Sequence, residues 1–382
     1  MARRLTAPGK GCRVDRQVSS NVKKEVMRGE QSQQSSMLCL VSPESRVPDD
    51  HPLRAVKQLA DEALKKMTRS FGRMYSKTGR PSIPPETLLK SMLLMALYSV
   101  RSERMFCEML NYNLLFRWFL DMDMMSDAFH HSGFCHNRDR LLEHEAARKF
   151  LRQTVVLAQS RNLMSEEHFS VDGTLIEAWA SMKSFRPKDE TDDDSDNNGW
   201  SDFRGKRRKN DTHESKTDPD SRLYRKGKGK EAKLCYMGHA LMENRNGLVV
   251  DIEVTRATGT AEREAAKTML NRSTDKNRRK TLGADAGYDA PDFADDCRKH
   301  NASPHVAQKK YSAIDGRTTR HGGYTASQRV RKRIESIFGW AKSVGGMRKS
   351  RYRGVRPNQF ISCMQGVAYN LLRIANLRPE PT

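Results

Sequence analysis

The sequence predicts an α/β fold, in which a mixed sheet with helices on both faces follows a helical N-terminal domain. Two observations carry this prediction. Apolar residues recur at helical spacing up to about residue 162, and beyond that point short runs of β-forming residues alternate with helical segments. Strands that alternate with helices are typical of a sheet whose two faces are both covered.

The first 48 residues are predicted to form a disordered or extended arm. Arg, Lys, Ser, Gln and Gly dominate residues 1–48, and no hydrophobic period emerges. We interpret Met27 as the true start of translation, which would make the preceding residues an extension of the reading frame. The alternative is a basic arm that contacts DNA.

Residues 49–162 are predicted to form a helical domain. Pro84 and Pro85 suit the first turn of a helix, because that turn leaves its N–H groups without intrahelical partners. The domain could bind DNA ends, serve in dimerisation or be a purely structural bundle, and the helices alone leave this open. The predicted helices cover residues 53–67, 84–96, 102–120, 132–142 and 143–161.

Residues 163–378 are predicted to form the α/β domain. Asn246-Gly247 stands between two apolar runs, which is a strong signal of a two-stranded hairpin. Short apolar runs with β-forming residues supply the other strands. The predicted strands cover residues 169–179, 234–242, 248–255, 281–285 and 305–307, and the predicted helices cover 262–270, 293–300, 327–344 and 359–376.

A charged insertion interrupts the α/β domain at about residues 185–232. An acidic tract comes first, and a basic cluster follows it at once. Such runs are usually solvated loops. The functional interpretation is a DNA-facing segment whose acidic half shields the basic half when no DNA is bound. The basic cluster consists of Arg204, Lys206, Arg207 and Arg208.

The composition favours a polyanionic partner. Lys and Arg number 69 against 47 Asp and Glu, which gives a formal net charge of +22. A charge of this size points to nucleic acid, although an RNA-binding protein of the ribosomal kind and a basic surface kept for solubility would also show it. The seven cysteines include no C-x-x-C pair, which argues against a disulfide framework and a cysteine-rich zinc module.

The sequence shows no segment that would insert into a membrane. The longest apolar stretch, residues 91–100, is too short to cross a bilayer and follows Lys90. The basic N-terminus lacks the apolar core of a signal peptide. We therefore expect a soluble, cytoplasmic protein without a membrane partner.

Three acidic residues occupy positions that suit metal-binding carboxylates. Asp172 ends an apolar run, Asp285 ends a short predicted strand, and Glu335 lies in a basic amphipathic helix. Hard cations such as Mg²⁺ prefer oxygen ligands, and two metal ions can drive in-line attack at phosphorus. The three acids therefore predict a divalent metal site that acts on nucleic acid.

Each acid also has an ordinary explanation. Asp172 could be a turn residue, and Asp285 has a nearby competitor in Asp289, which could equally cap the helix that follows. Glu335 could simply pair with Arg331 four residues earlier. The combination favours the metal site, since Arg331, Glu335 and Lys342 would share one face of a continuous helix. On that face an acid could hold metal while its two basic neighbours neutralise phosphates.

The residues resemble the DDE transposases of bacterial insertion sequences, specifically the insertion-sequence-five branch. The likeness extends from about Gln31 to Leu377. Its most specific parts are Pro81-Ser-Ile-Pro-Pro-Glu86, Leu110-Asn-Tyr-Asn-Leu-Leu-Phe-Arg-Trp-Phe119, Asn137-Arg-Asp-Arg-Leu141, Val171-Asp-Gly-Thr174, Gly283-Ala-Asp-Ala-Gly-Tyr-Asp289 and the segment Arg331 to Lys342.

The resemblance implies a ribonuclease-H-like catalytic domain with Asp172, Asp285 and Glu335 as its acidic triad. It further implies two Mg²⁺ ions, for which Mn²⁺ could substitute, and double-stranded DNA as partner, both as terminal inverted repeats and as target. A homodimer or larger assembly on DNA and a place near the bacterial nucleoid are further expectations. Arg331 and Lys342 match the family's C-terminal signature, whereas Gln328 stands where that signature has Tyr.

Three other functions remain open at this point. A metal-dependent nuclease without strand transfer would use the same acids. An inactive, domesticated DNA-binding derivative is compatible with Gln328. A structural RNA-binding protein would leave the spacing of Arg331, Glu335 and Lys342 unexplained.

Overall fold

A computed structural model describes residues 42–75, 82–188, 208–225, 227, 229–275 and 277–377. The N-terminal part of these residues is helical. Its helices are α1 (Pro43–Arg46), α2 (Leu53–Lys65), α3 (Thr68–Gly72), α4 (Pro85–Leu97), α5 (Glu103–Met109), α6 (Leu114–Phe119), α7 (His131–Glu143) and α8 (Ala146–Ser160).

The remaining described residues form an α/β arrangement. Its strands are β1 (His168–Glu177), β2 (Phe185–Pro187), β3 (His213–Ser215), β4 (Arg222–Tyr224), β5 (Lys233–Glu243), β6 (Val249–Arg256), β7 (Lys280–Ala284) and β8 (Ala302–Val306). Its helices are α9 (Ala261–Ser273), α10 (Pro291–Lys299), α11 (Gly316–Thr319), α12 (Gly322–Val330), α13 (Ile334–Ser343) and α14 (Val355–Asn376).

The main sheet is mixed. Strand β5 pairs antiparallel with β1, β4 and β6, whereas β7 runs parallel to both β1 and β8. The short strands β2 and β3 form a separate antiparallel pair. The predicted hairpin around Asn246-Gly247 is confirmed, with β5 and β6 as its arms and Gly247 at a φ of 69°, in the left-handed region that suits glycine.

Helices cover both faces of this sheet. On one face, a Cβ at Gly366 of α14 would lie 2.6 Å from Ile252, whose cross-strand partner on β5 is Ala240. On the other face, Arg272 of α9 donates a hydrogen bond of 2.7 Å to Glu253 on β6. Because neighbouring residues of a strand point to opposite faces, α14 and α9 lie on opposite sides of the sheet.

One hydrophobic core connects the N-terminal helices with the sheet. Val56 of α2, Phe150 of α8 and Val367 of α14 are fully buried in the same cluster as Leu241 of β5. The predicted α/β class with a helical N-terminal region is therefore confirmed.

No helix within the described ranges combines the length and the apolarity that crossing a bilayer requires.

The prediction of one helix over residues 102–120 is wrong. The chain forms α5 and α6 instead, with a turn between them. Asn113 accepts a hydrogen bond of 3.0 Å from the backbone N–H of Phe116 and so caps α6. Asparagine competes for backbone donors in this way and begins helices better than it continues them.

The prediction of one continuous helix over residues 327–344 is also wrong. A 3₁₀ turn, Arg331–Arg333, separates α12 from α13. Arg333 donates hydrogen bonds of 3.2 and 3.1 Å to the carbonyls of Asn244 and Arg245 in the β5–β6 turn. We attribute the tighter turn to such tertiary contacts, which periodicity cannot show. As a result, Arg331 does not share a straight helical face with Glu335.

Candidate active site

Asp172 and Asp285 belong to neighbouring parallel strands. The pairing of β1 with β7 sets Phe169 opposite Leu282 and Ser170 opposite Gly283. Continuing this register by two residues sets Asp172 beside Asp285, just past the end of β7. Adjacent strands lie about 4.8 Å apart, so the backbones of the two aspartates are neighbours at the point where β7 ends.

Backbone N–H groups hold both aspartates in place. Asp172 accepts a hydrogen bond of 2.7 Å from the N–H of Gly173. Asp285 caps the 3₁₀ turn that follows β7 by accepting from the N–H of Gly287 at 2.8 Å. The hydrogen bond from the turn fixes the side chain of Asp285. Aspartate commonly accepts such a bond from the backbone two residues further on.

Glu335 acts on Asp172 electrostatically. Glu335 is exposed in the first turn of α13. Burial raises the pKa of Asp172, and the negative charges of Asp285 and Glu335 raise it further, while the Gly173 N–H and Arg331 oppose this. The sequence-predicted acids therefore lie in one electrostatic neighbourhood, where the charges of Asp285 and Glu335 add to the effect of burial on the pKa of Asp172.

The acids do not already form a closed ligand shell. Over the residues that the structure describes, no three His, Cys, Asp or Glu side chains stand in an arrangement that could hold a metal ion. The oxygen donors nevertheless fit a hard divalent cation, because carboxylates that repel one another are stabilised by a shared positive charge.

Gln328 links the ends of β7 and β8 to Arg331. Its side-chain amide donates to the carbonyls of His305, at 2.5 Å, and Ala284, at 3.5 Å. Its oxygen accepts a hydrogen bond of 2.9 Å from Nε of Arg331. Gln328 therefore orients the arginine whose charge favours the ionised form of Asp172.

Lys342 lies on the same side of β1 as Asp172. Its ammonium group donates to Oγ1 of Thr174, two residues after Asp172 on the strand. Residues two apart on a strand share a face. Lys342 and Arg331 thus both stand near Asp172, although Arg331 belongs to the 3₁₀ turn and Lys342 to α13.

A fourth carboxylate, which sequence reasoning missed, belongs to the same neighbourhood. Glu262 stands in the first turn of α9 and is half-buried. Burial raises its pKa, and the charges of Asp285 and Asp172 act in the same direction. In the sequence, Glu262 looks like any acidic residue at the start of a helix, so only the fold shows that it lies near Asp172 and Asp285.

The basic cluster of the charged insertion is described only at its last residue. Arg208 lies 3.5 Å from the carbonyl of Phe185 through a guanidinium nitrogen. Arg204, Lys206 and Arg207 lie outside the described residues. Their assignment to DNA stays a prediction.

Two family models match the chain. One, described as a transposase DDE domain, covers residues 165–371. The other, described as a transposase domain (DUF772), covers residues 41–140. The DDE-domain model alone spans more than half of the 382 residues and includes the three acids of the site.

Solved structures resemble the chain only distantly. A cryo-EM structure of the piggyBac transposase synaptic complex with hairpin DNA is 11% identical, with 84% of this chain and 73% of that chain covered and a TM-score of 0.39. A crystal structure of a pre-cleavage Mos1 transpososome is also 11% identical, with 83% and 89% covered and a TM-score of 0.20. No curated protein matched the chain.

Proposed function

The chain belongs to the family of transposases with a DDE domain, and on that premise we propose that it cuts DNA at the ends of a mobile element and joins those ends to target DNA. One observation supports this chemistry above all. The register of β1 and β7 brings Asp172 beside Asp285, and Glu335 acts on the charge of Asp172. We also propose a ribonuclease-H-like fold and the insertion-sequence-five branch, on the motifs quoted above.

In this proposal Asp172, Asp285 and Glu335 hold divalent metal. Their oxygens suit two Mg²⁺ ions, with Mn²⁺ as a possible substitute. When bound, such ions lower the pKa of an attacking water and stabilise the leaving 3′ oxygen. The acids would hold these ions near the end of β7 and the first turn of α13. The same site would then serve a second nucleophile, the 3′-OH of the cut end.

Basic side chains neutralise the DNA phosphates in this proposal. Arg331 and Lys342 stand next to Asp172 and would contact the phosphates nearest the reacting bond. Further contacts are assigned to the basic cluster Arg204, Lys206, Arg207 and Arg208. Joining two DNA ends to one target calls for at least two catalytic sites, so we propose a homodimer or larger assembly on double-stranded DNA.

A joining assay separates transposition from its nearest alternatives. The protein is incubated with Mg²⁺, target DNA and the DNA ends that flank this reading frame, supplied with a pre-cut 3′-OH. Joined product is expected with the 3′-OH end and none with a 3′-deoxy end, because the nucleophile is then missing. Nicking without joining would favour a nuclease, and end binding without Mg²⁺-dependent nicking would favour an inactive DNA-binding derivative.

Replacing Gln328 by Ala is expected to slow Mg²⁺-dependent nicking about tenfold, which corresponds to about 1.4 kcal/mol in the barrier. The change removes the hydrogen bond that orients Arg331, while the three acids stay in place. Single-turnover nicking rates measure the effect. Mn²⁺ affinity should stay unchanged, since the hydrogen bonds of the Gln328 side chain go to Ala284, His305 and Arg331 and not to the acids.

Gln58→Ala provides a matched control for this prediction. Gln58 is exposed on α2, far along the chain from the acids, and its replacement should leave the nicking rate as it is. A wild-type nicking rate in Gln328→Ala would show that Arg331 works without the hydrogen bond to Gln328. A parallel loss of Mn²⁺ affinity would show instead that Gln328 supports the whole site.

A further inference from the structure

Glu262 lies between the backbone segments that follow Asp172 and Asp285. A Cβ at Gly173 would be 3.1 Å from Oε1 of Glu262, and a Cβ at Gly287 would be 3.4 Å from Oε2. Gly173 directly follows Asp172, and the N–H of Gly287 binds Asp285. Each oxygen of Glu262 thus faces one of these segments, and glycine at both positions makes room for the carboxylate.

Two buried polar groups beside this carboxylate have no protein partner. Nδ1 of His239 and the hydroxyl of Tyr288 make no hydrogen bond with any described residue, although the two side chains are 0% and 1% exposed. His239 pairs with Gly173 across the strands, and its Nδ1 lies 3.1 Å from the same Cβ position that Glu262 approaches. Buried polar groups are nearly always paired, so these two point to a missing polar ligand.

The surroundings of the unpaired groups identify the kind of ligand. Burial raises the pKa of Tyr288 well above its ordinary value, and the charges of Glu262, Asp172 and Asp285 raise it further. His239 is neutral, because burial lowers its pKa to about 4, and its Nε2 is engaged with Thr255 at 2.9 Å. Neutral polar groups next to several carboxylates suit a hydrated cation, whose water molecules can hydrogen-bond to them.

Resting on the proposed function, we propose that Glu262 is a fourth acid of the divalent-cation site, acting as a ligand directly or through a water molecule. It completes the site on the α9 side of β1, whereas Glu335 contributes from the side of α13. His239 and Tyr288 then bind water of the cation's hydration shell. The site therefore draws its acids from both faces of the sheet.

The position of Glu262 is not explained by the helix alone. Acids in the first turn of a helix interact favourably with its dipole, and they do so from the surface. Glu264 occupies the same turn of α9 and is exposed. Glu262 instead lies half-buried beside two other carboxylates, with Arg263 as the nearby opposing charge, at a cost that a bound cation would remove.

Mn²⁺ binding to the full chain without DNA tests this inference. Glu262→Gln keeps the size of the side chain and removes its charge, and Glu264→Gln is the matched control from the same helical turn. Titration calorimetry is expected to show a loss of Mn²⁺ affinity of about tenfold or more in Glu262→Gln and none in Glu264→Gln. Without metal, Glu262→Gln should melt at the wild-type temperature or above it, because a repulsive charge is gone.

The outcomes separate this inference from the proposed function. Wild-type Mn²⁺ affinity in Glu262→Gln, or no Mn²⁺ binding by the wild-type protein, overturns the inference. A lower melting temperature of metal-free Glu262→Gln would also overturn it, since the carboxylate would then stabilise the fold by itself. If the wild-type protein neither nicks nor joins DNA, the proposed function fails even where Glu262→Gln weakens Mn²⁺ binding as expected.

Discussion

Replacing Asp172 by Asn, or Glu335 by Gln, is expected to lower Mg²⁺-dependent nicking by on the order of a thousandfold or more. Stabilisation of the transition-state charge by bound metal contributes several kcal/mol, and each 1.4 kcal/mol corresponds to a factor of ten in rate. Both changes keep the size of the side chain and remove one anionic ligand. Cleavage of a labelled duplex that carries the mobile-element end measures the rate.

The fold of Asp172→Asn should not be weakened. Burial and the neighbouring charges of Asp285 and Glu335 raise the pKa of Asp172, so its ionised form is less favourable in the folded chain than in the unfolded one. A neutral residue of the same shape removes that cost. We therefore expect a metal-free melting temperature at or above that of the wild type, which distinguishes loss of chemistry from loss of structure.

Asp295→Asn controls for the removal of an acid elsewhere. Asp295 is exposed on α10, where its main contact is an ion pair of 3.1 Å with Arg298. Exposed pairs of this kind contribute little, so both nicking and stability should match the wild type. Binding of the DNA ends should survive in Asp172→Asn and Glu335→Gln. Nicking that persists in both of these variants would refute the acidic triad.

The sequence could predict the strands that carry the site because their signals are local. Apolar runs and the Asn246-Gly247 turn depend on neighbouring residues only, and β1, β5, β6 and β7 lie within about two residues of their predicted bounds. Asp172 lies inside β1 rather than at its end, and the short strands β2, β3 and β4 of the charged insertion were not predicted. The break between α12 and α13 is accompanied by contacts of Arg333 with the carbonyls of Asn244 and Arg245 in the distant β5–β6 turn. The helical period of apolar residues in the sequence does not reveal those contacts.

The fold gives Asp289 a different role from that of Asp285. Asp289 is buried and accepts backbone hydrogen bonds from Lys309 and Ala313, at 2.8 and 2.9 Å. Although burial alone would raise the pKa of Asp289, these and other hydrogen bonds hold it below its usual value. Asp289 thus secures the loop after β8, while Asp285 faces Asp172. Two aspartates four residues apart look equivalent in sequence, since their partners lie far along the chain.

Glu243 stabilises the hairpin turn, although no sequence motif marks it. This glutamate ends β5 and is fully buried. One carboxylate oxygen accepts from the N–H groups of Asn246 and Leu248, at 2.8 and 3.0 Å. The other accepts from the N–H groups of Arg245 and Ser165, at 2.8 and 3.0 Å. A single side chain therefore satisfies four backbone donors and ties the hairpin turn to the entry of β1.

Glu243→Gln is expected to lower the free energy of unfolding by about 3 kcal/mol or more. An amide presents one oxygen and one NH₂ group, so two of the four backbone donors would face another donor and lose their partner, at about 1–3 kcal/mol each. Urea unfolding followed by circular dichroism measures the change. The exposed Glu264→Gln serves as control and should unfold as the wild type does. A loss below about 1 kcal/mol in Glu243→Gln would mean that water replaces the carboxylate, and that the turn does not depend on it.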